Sequence, residues 1–403
     1  DERIQRIAEI FSYFHNPDKE TVLTPWRVVN MHMSDCLGGY CFFNERFDGP
    51  NQKPVIGNGD QLFDWIDTPA PRFVNRGKVT SDVFGDIDKQ HLENNSKILE
   101  INSKTGLYPL YVAYSLYRYR MPNYAAVELV TDLDSCSIEE EQVIWDDILK
   151  HNIYVICNTP MAARITKRTL CGFRDVKQIN IKSDKLVERA TTDKDSLVKS
   201  IKTIGYWEGT TRKDMIKFSA VVGNPPYQEV NKGNGTGANP LYHIFIDLGM
   251  ALANKSTFIH PARFLFNAGK TPKEWNKKIL NDKHFKVVKY IATSTDVFPS
   301  VDIKGGVAIT LHDKEQDFGS IGTFSTHEEL SSILAKVVSY GEFNSFSTLV
   351  YPRDLYHLTD KLYEDHPEFE NRQSSGHKYD VGSGVFDVLP ELFYDVMPSD
   401  GKV

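Results

Sequence analysis

An asparagine, two prolines and a tyrosine stand together at Asn224, Pro225, Pro226 and Tyr227, directly after the apolar run 219–222 and Gly223. Residue types and spacing suit one chemistry, the activation of a conjugated amine. An exocyclic amino group on a purine or pyrimidine is a weak nucleophile because its lone pair is delocalised into the ring. Two acceptors gripping its hydrogens, the Asn224 side-chain oxygen and the Pro225 carbonyl, favour a pyramidal nitrogen and push the lone pair outwards. An electrophilic methyl group can then be taken in one in-line step, driven by positioning and electrostatics. Tyr227 offers a ring face on which the base can stack. No cysteine nucleophile is required.

The elements that must position this group follow from local pattern. The run 219–222 is apolar and β-rich, as expected of a buried strand in a parallel sheet. Two consecutive prolines fix φ and remove two backbone donors, so the chain must leave the ladder as a stiff loop. That loop falls at the carboxyl end of a strand, where open α/β sheets place their ligand sites. A second informative stretch is 97–120, with a strand at 98–101, a polar turn at 102–106 and an apolar helix from Leu107. Glu100 at the strand end, followed by Asn102, Thr105 and Gly106, forms a nucleoside-type pocket at a helix start.

Upstream, Thr24 before Pro25 signals a helix start, with Val28, Val29 and His32 following on one face. Residues 1–16 carry apolar side chains at helical spacing, and 124–128 suggests a short strand. The stretch 152–170 suggests strand, turn and helix, whereas 182–200 is polar and suggests surface helix and loop. The segment 231–240 is a glycine-rich lid or linker, and 241–253 an apolar helix. Strands are expected in 256–266 and 287–292, and 296–312 suggests a loop with a hairpin-like pair of strands. Between residues 34 and 95, Gly, Pro, Asn and Asp become frequent, which marks an irregular insertion.

Bulk composition sets the frame. With 403 residues, 40% hydrophobic and 25% charged, the chain is long enough for one large α/β domain and part of a second. It has no run fit to span a membrane and no signal peptide, and a start at Asp1 is expected of a piece of something longer. Five cysteines (Cys36, Cys41, Cys136, Cys157 and Cys171) without CxxC pairing suit a reducing, cytoplasmic setting rather than disulfides or structural zinc. The net charge of −7 weighs against nucleic acid as a partner, but binding depends on local faces, and two basic runs qualify. They are 164–185 and 270–289, each also explicable as a solvated helix face.

Taken in order, these pieces resemble the amino-methyltransferases acting on adenine N6 in DNA. The likeness is strongest to the gamma class, whose cofactor helix precedes the catalytic domain, in restriction-modification systems and fused enzymes of the Eco57I type. The resemblance covers roughly 21–312, with 34–95 as a gap. It implies an α/β fold: a Rossmann-like seven-stranded methyltransferase sheet with helices on both faces, an insertion and the start of a C-terminal domain. The expected segments are 1–33, 34–95, 96–315 and 316–403, the last as the start of a target-recognition domain. The implied activity is site-specific, adenine-specific DNA methylation with S-adenosylmethionine as methyl donor. By resemblance, Thr24, Pro25, Glu100, Asn102, Thr105, Gly106, Cys157, Glu208 and Phe245 are cofactor residues. Asn224 to Tyr227 match the catalytic loop, and Phe298 the aromatic that sandwiches a flipped adenine opposite Tyr227. Double-stranded DNA is the implied partner, with a nuclease or target-recognition domain in a longer chain or another subunit, and no membrane.

Three departures from the pattern matter. Lys104 stands where a small residue is usual, Cys157 replaces the acid expected to hold the ribose hydroxyls, and Ser219 replaces an acid before the central strand. Loss of a charge-assisted bond weakens binding by about 1.5–3 kcal/mol, which implies a weakened or partner-dependent cofactor site. Rival readings are a methyltransferase with the same tetrapeptide acting on protein glutamine or RNA, and a degenerate fold that binds DNA or a partner subunit.

Overall fold

A computed structural model describes residues 22–38, 96–127, 138–229 except 177, 238–299 and 301–340, with shorter stretches before residue 11 and between 346 and 392. The insertion from residue 39 to 95, most of the 1–16 segment and residues 230–237 of the glycine-rich loop lie outside the described residues. Two compact units divide the chain, Asp1–Thr326 and His327–Val403.

The first unit is built on seven strands: β1 (Ile98–Ile101), β2 (Ile153–Cys157), β3 (Asn180–Ser183), β4 (Phe218–Gly223), β5 (Ala253–Pro261), β6 (Phe285–Ile291) and β7 (Val307–Asp313). They form a single sheet in the order β3-β2-β1-β4-β5-β7-β6. The first five are parallel, and β7 runs antiparallel to both β5 and β6. This is the expected Rossmann-like, seven-stranded α/β sheet. Helices cover both faces: α1 (Trp26–Cys36), α2 (Leu107–Val127), α3 (Ile138–His151), α4 (Pro160–Cys171), α5 (Leu186–Thr192), α6 (Lys194–Ile201), α7 (Ile204–Glu208), α8 (Tyr242–Leu252) and α9 (Lys273–Leu280).

Strand alternation divides the core in two. Ile98, Val155, Cys157, Ala220 and Val222 point to the face covered by α1, α2 and α3. Leu99, Ile156, Val221 and Phe258 point to the opposite face, against α5, α6 and α8. Because both faces are covered, the central strands are continuously apolar, and only Glu100 interrupts β1 and β2. A carboxyl there is expensive to bury.

Three sequence expectations are corrected. Residues 124–127 belong to α2 rather than to a strand. A strand within 180–183 adds an edge to the sheet where only helix and loop were expected. The hairpin pairs β6 with β7, so 296–306 is its connecting loop rather than part of a strand pair. The second unit contains a helix at Glu328–Val338 and a small core of Tyr363, Phe369, Val385 and Leu389.

Candidate functional site

Strand order reverses between β1 and β4: β2 and β3 lie outward from β1, and β5 to β7 outward from β4. At such a switch point the loops leaving the two strands diverge to opposite faces and open a crevice at their carboxyl ends. Glu100 pairs in register with Val222, so the two loops leave the sheet almost level. Gly223 has φ of 151°, and a Cβ there would lie 2.7 Å from the Ile101 carbonyl oxygen. Only glycine lets β4 approach β1 this closely as it turns into Asn224.

The two loops are tied by side chains. Asn102 adopts φ of 61°, a left-handed conformation that asparagine tolerates, and its Nδ2 donates to the Asn224 backbone carbonyl at 3.0 Å. Asn224 is buried, and its Nδ2 donates to Thr24 Oγ1 at 2.9 Å and to the Val22 carbonyl at 3.4 Å. Its Oδ1 is also buried and has no hydrogen-bond partner among the described residues. Lys104 is the unexpected lysine of this turn, and its Nζ donates to the Val22 carbonyl at 2.8 Å. The departure from a small residue therefore supplies a tether for the segment ahead of α1. Arg27 Nη2 donates to the Asp296 carbonyl at 2.6 Å, which ties α1 to the loop carrying Phe298.

Glu100 is buried, and its Oε2 has no hydrogen-bond partner among the described residues. Burial drives its pKa from 4.5 up to about 8, against the opposing pull of the Ser103 hydroxyl and the Lys104 charge. Gly106 opens α2 with φ of 78°, and a Cβ there would meet Thr166 of α4 at 3.0 Å. We expect Gly106→Ala to destabilise the domain by about 1–3 kcal/mol through backbone strain and this contact. Chemical denaturation checks this, with a lower midpoint at unchanged slope. Thr105 lies beside Gly106, where its carbonyl accepts from Thr169 Oγ1 at 2.6 Å. Cys157 ends β2 fully buried, with its Sγ 3.8 Å from Thr166 Oγ1. Burial and the Glu100 charge push its thiol up to about 12, so it stays neutral and supplies no charge.

Tyr227 and Phe298 do meet, edge to face, with ring centroids 6.4 Å apart and planes at 65°. Parallel rings with a base between them need more separation and a smaller angle, so one ring must turn to admit a base. Burial pushes the Tyr227 hydroxyl well above its usual range, partly offset by the Asn224 amide. After Tyr227 the chain is clasped by Gln228 bridging Pro240 and by Leu241 N–H donating to the Tyr227 carbonyl at 3.0 Å. Alongside lies a cleft of about 400 Å³ lined by Val22, Tyr227, Arg263, Lys270, Thr271 and Lys304, among others.

Two of the expected cofactor residues are not brought to this cluster. Glu208 is exposed at the end of α7, where it accepts from Arg212 Nη1 at 3.0 Å. Its charge bears on Tyr154 at the amino end of β2, whereas Cys157 ends that strand. Phe245 is fully buried in the core of the opposite face, with Leu99 and Ile101. An acid that sequence reasoning passed over stands nearer the proper edge. Asp184 follows β3, donates its N–H to the Cys157 carbonyl at 3.0 Å, and accepts from Arg189 and Tyr206. It becomes legible only once 180–183 is recognised as a strand. Of the basic runs, Arg174 pairs with Asp146, Lys286 covers the Phe318 ring, and Lys270 lines the cleft.

With this geometry in place, comparison with known proteins becomes informative. Residues 151–298 match the Eco57I restriction-modification methylase family. The resemblance drawn from the motifs is thereby borne out, and the matched Eco57I segment contains Cys157, Asn224 to Tyr227 and Phe298. An uncharacterized adenine-specific methylase of Mycoplasma pneumoniae is 31% identical over 100 residues, 24% of each chain. The matched part is thus about a quarter of that relative's length. Among solved structures, the type I restriction enzyme EcoKI M protein has a TM-score of 0.34 at 10% identity, covering 79% of this chain and 62% of that one. The type ISP restriction-modification enzyme LlaBIII bound to DNA has a TM-score of 0.35 at 13% identity, covering 60% of this chain and 18% of that one. No described helix is long and apolar enough to cross a membrane.

Proposed function

We propose that this chain transfers a methyl group from S-adenosylmethionine to the N6 amine of an adenine flipped out of double-stranded DNA. The supporting observation is the Asn224 amide: its nitrogen is engaged by Thr24 and Val22, and its buried oxygen has no partner among the described residues. A buried acceptor without a donor costs about 1–3 kcal/mol, a price a fold maintains where a ligand supplies the donor. Methylase kinship of the Eco57I segment and of the adenine-specific relative gives that donor a class.

The residues present fit the cofactor. Glu100 offers a second buried acceptor without a partner, and Gly106 lets α2 start directly behind the turn. Glu100, Asn102, Thr105 and Gly106 would hold it, with Pro25 opposite, and Asp184 joins them as an acid on the same edge. S-adenosylmethionine, when bound, supplies an electrophilic methyl group. Everything else falls to the chain. Asn224 Oδ1 and the Pro225 carbonyl accept hydrogen bonds from the amine's two hydrogens and turn its lone pair outwards, the surplus proton of the methylated nitrogen passing to water, while Pro226 stiffens the loop. Tyr227 stacks on the base, and Phe298 swings from its edge-on position to close the other side. Arg263, Lys270 and Lys304 along the cleft meet the phosphates that follow a flipped nucleotide. Sequence choice and any nuclease belong to another domain or subunit, and the setting is cytoplasmic.

The test is transfer of labelled methyl groups to DNA, RNA and protein in parallel. Label in N6-methyladenine of duplex DNA is the expected result. Label confined to RNA or to protein glutamine overturns the substrate, and no cofactor binding with or without DNA overturns the enzyme.

A further inference from the structure

One short piece of chain, the loop 292–306 between β6 and β7, carries both Phe298 and part of the cleft wall. Phe298 faces Tyr227 from it, and Val301, Asp302, Ile303 and Lys304 line the cleft. Such a connection has no strand ladder of its own. Its backbone groups must find partners elsewhere if it is to keep one shape.

Ser294 supplies several of them. It is buried at 2% exposure between the exposed Thr293 and Thr295, a small polar side chain that apolar packing does not account for. Its carbonyl accepts from the Phe298 N–H at 2.8 Å and from the Val297 N–H at 3.1 Å. Its Oγ accepts from the Ile303 N–H at 2.7 Å and donates to the Val301 carbonyl at 3.1 Å. The direction of both bonds is fixed, because an amide N–H only donates and a carbonyl only accepts. One residue thus holds the backbone of the stacking ring through its main chain and the cleft wall through its hydroxyl. Further bonds complete the frame. The Val301 N–H donates to the Phe298 carbonyl and the Gly306 N–H to the Ile303 carbonyl, each at 3.0 Å. Arg27 of α1 holds the Asp296 carbonyl from outside the loop.

We infer that Ser294 is a positioning residue for the target base. It holds the 294–303 backbone in place, so that a base enters between Tyr227 and Phe298 by the turn of a ring and not by displacement of the loop. A ring that turns on a held backbone returns to the same place in each turnover, with Lys304 kept in step. On a loose loop, both would have to be ordered again each time. The rigidity of the loop follows from these bonds, and its effect on turnover rests on the methyltransferase reading.

Amide hydrogen exchange in the full chain, labelled with nitrogen-15 isoleucine, reads the hydroxyl bond directly, with Ile303→Val assigning the Ile303 signal. In the parent that amide should exchange at least about a hundredfold more slowly than an unstructured one. Exchange at the unstructured rate overturns the inference, whether or not any variant folds. In Ser294→Ala, exchange should accelerate at Ile303 at least about tenfold more than at Ile309 of β7, and equal acceleration at both overturns it. Turnover is followed as labelled methyl transfer to unmodified genomic DNA. For Ser294→Ala, kcat should fall about ten- to hundredfold with KM for S-adenosylmethionine unchanged, and Ser294→Thr, which keeps the hydroxyl, should restore most of it. In a Phe298→Ala background the same change should cost only about threefold, because its effect runs through that ring. Unchanged kcat in Ser294→Ala, or a loss equally large with and without the Phe298 ring, overturns the positioning role. Should the unaltered chain methylate no DNA, the proposed function fails while the exchange measurement still decides whether Ser294 holds the loop.

Discussion

Asn224→Ala is expected to lower methyl transfer by about a thousandfold or more while leaving the fold as stable as before. The two halves of that statement have one cause. Truncation removes the acceptor meant for the substrate amine, an interaction strongest as the nitrogen becomes pyramidal, so the loss falls on kcat rather than on KM. It also removes the 2.9 Å bond to Thr24, a loss of about 1 kcal/mol, but relieves the desolvated Oδ1 that has no partner, a gain of similar size. A melting temperature within a degree or two of the parent, with single-turnover methylation abolished, is the expected pair of results. Full activity in this variant removes the amine-gripping role outright. A large drop in melting temperature instead makes Asn224 a structural staple between β4 and the segment before α1.

Much of this site was legible before the fold was. The apolar run before Asn224, the diproline exit and the acid ending the 98–101 strand each carry a local signal that tertiary packing has no reason to override. The structure places all three at the one crevice that the strand order creates. What escaped was non-local. Strand β3 is NIKS, three half-buried residues and one exposed, because an edge strand packed on one side shows no apolar run. Without it, Asp184 looks like any surface acid, and Glu208 is picked out by sequence position alone. Phe245 sits at a plausible distance along the chain, but the period of α8 turns it into the opposite core. Lys104 departs from the small residue expected in a cofactor loop, and nothing in the sequence announces its bond to Val22, which ties it to the neighbouring segment.

The second large effect is a pH dependence of cofactor affinity set by Glu100. In the free protein this carboxyl holds its proton up to about pH 8, because the crevice offers its Oε2 no donor. A ligand that donates hydrogen bonds to Glu100 needs the carboxylate, so binding must expel the proton. Affinity for S-adenosylmethionine is therefore expected to rise about tenfold per pH unit up to pH 8 and to level off above it. Calorimetry in two buffers of different ionisation heat measures the released proton: close to one well below pH 8, close to none well above. Glu100→Gln should abolish both the release and the slope, and bind about ten- to hundredfold more weakly on the alkaline plateau, where a charge-assisted bond has become neutral. Stability should move the other way. A carboxyl whose folded pKa of about 8 exceeds its ordinary 4.5 favours the folded state fully below 4.5, and that contribution is lost as pH rises through 8. The parent should thus lose melting temperature across that window while Glu100→Gln does not, so the variant that binds worse is the one that melts later in alkali. A variant that binds as tightly as the parent at every pH would instead place Glu100 outside the cofactor's reach, with its burial a matter of the crevice wall alone.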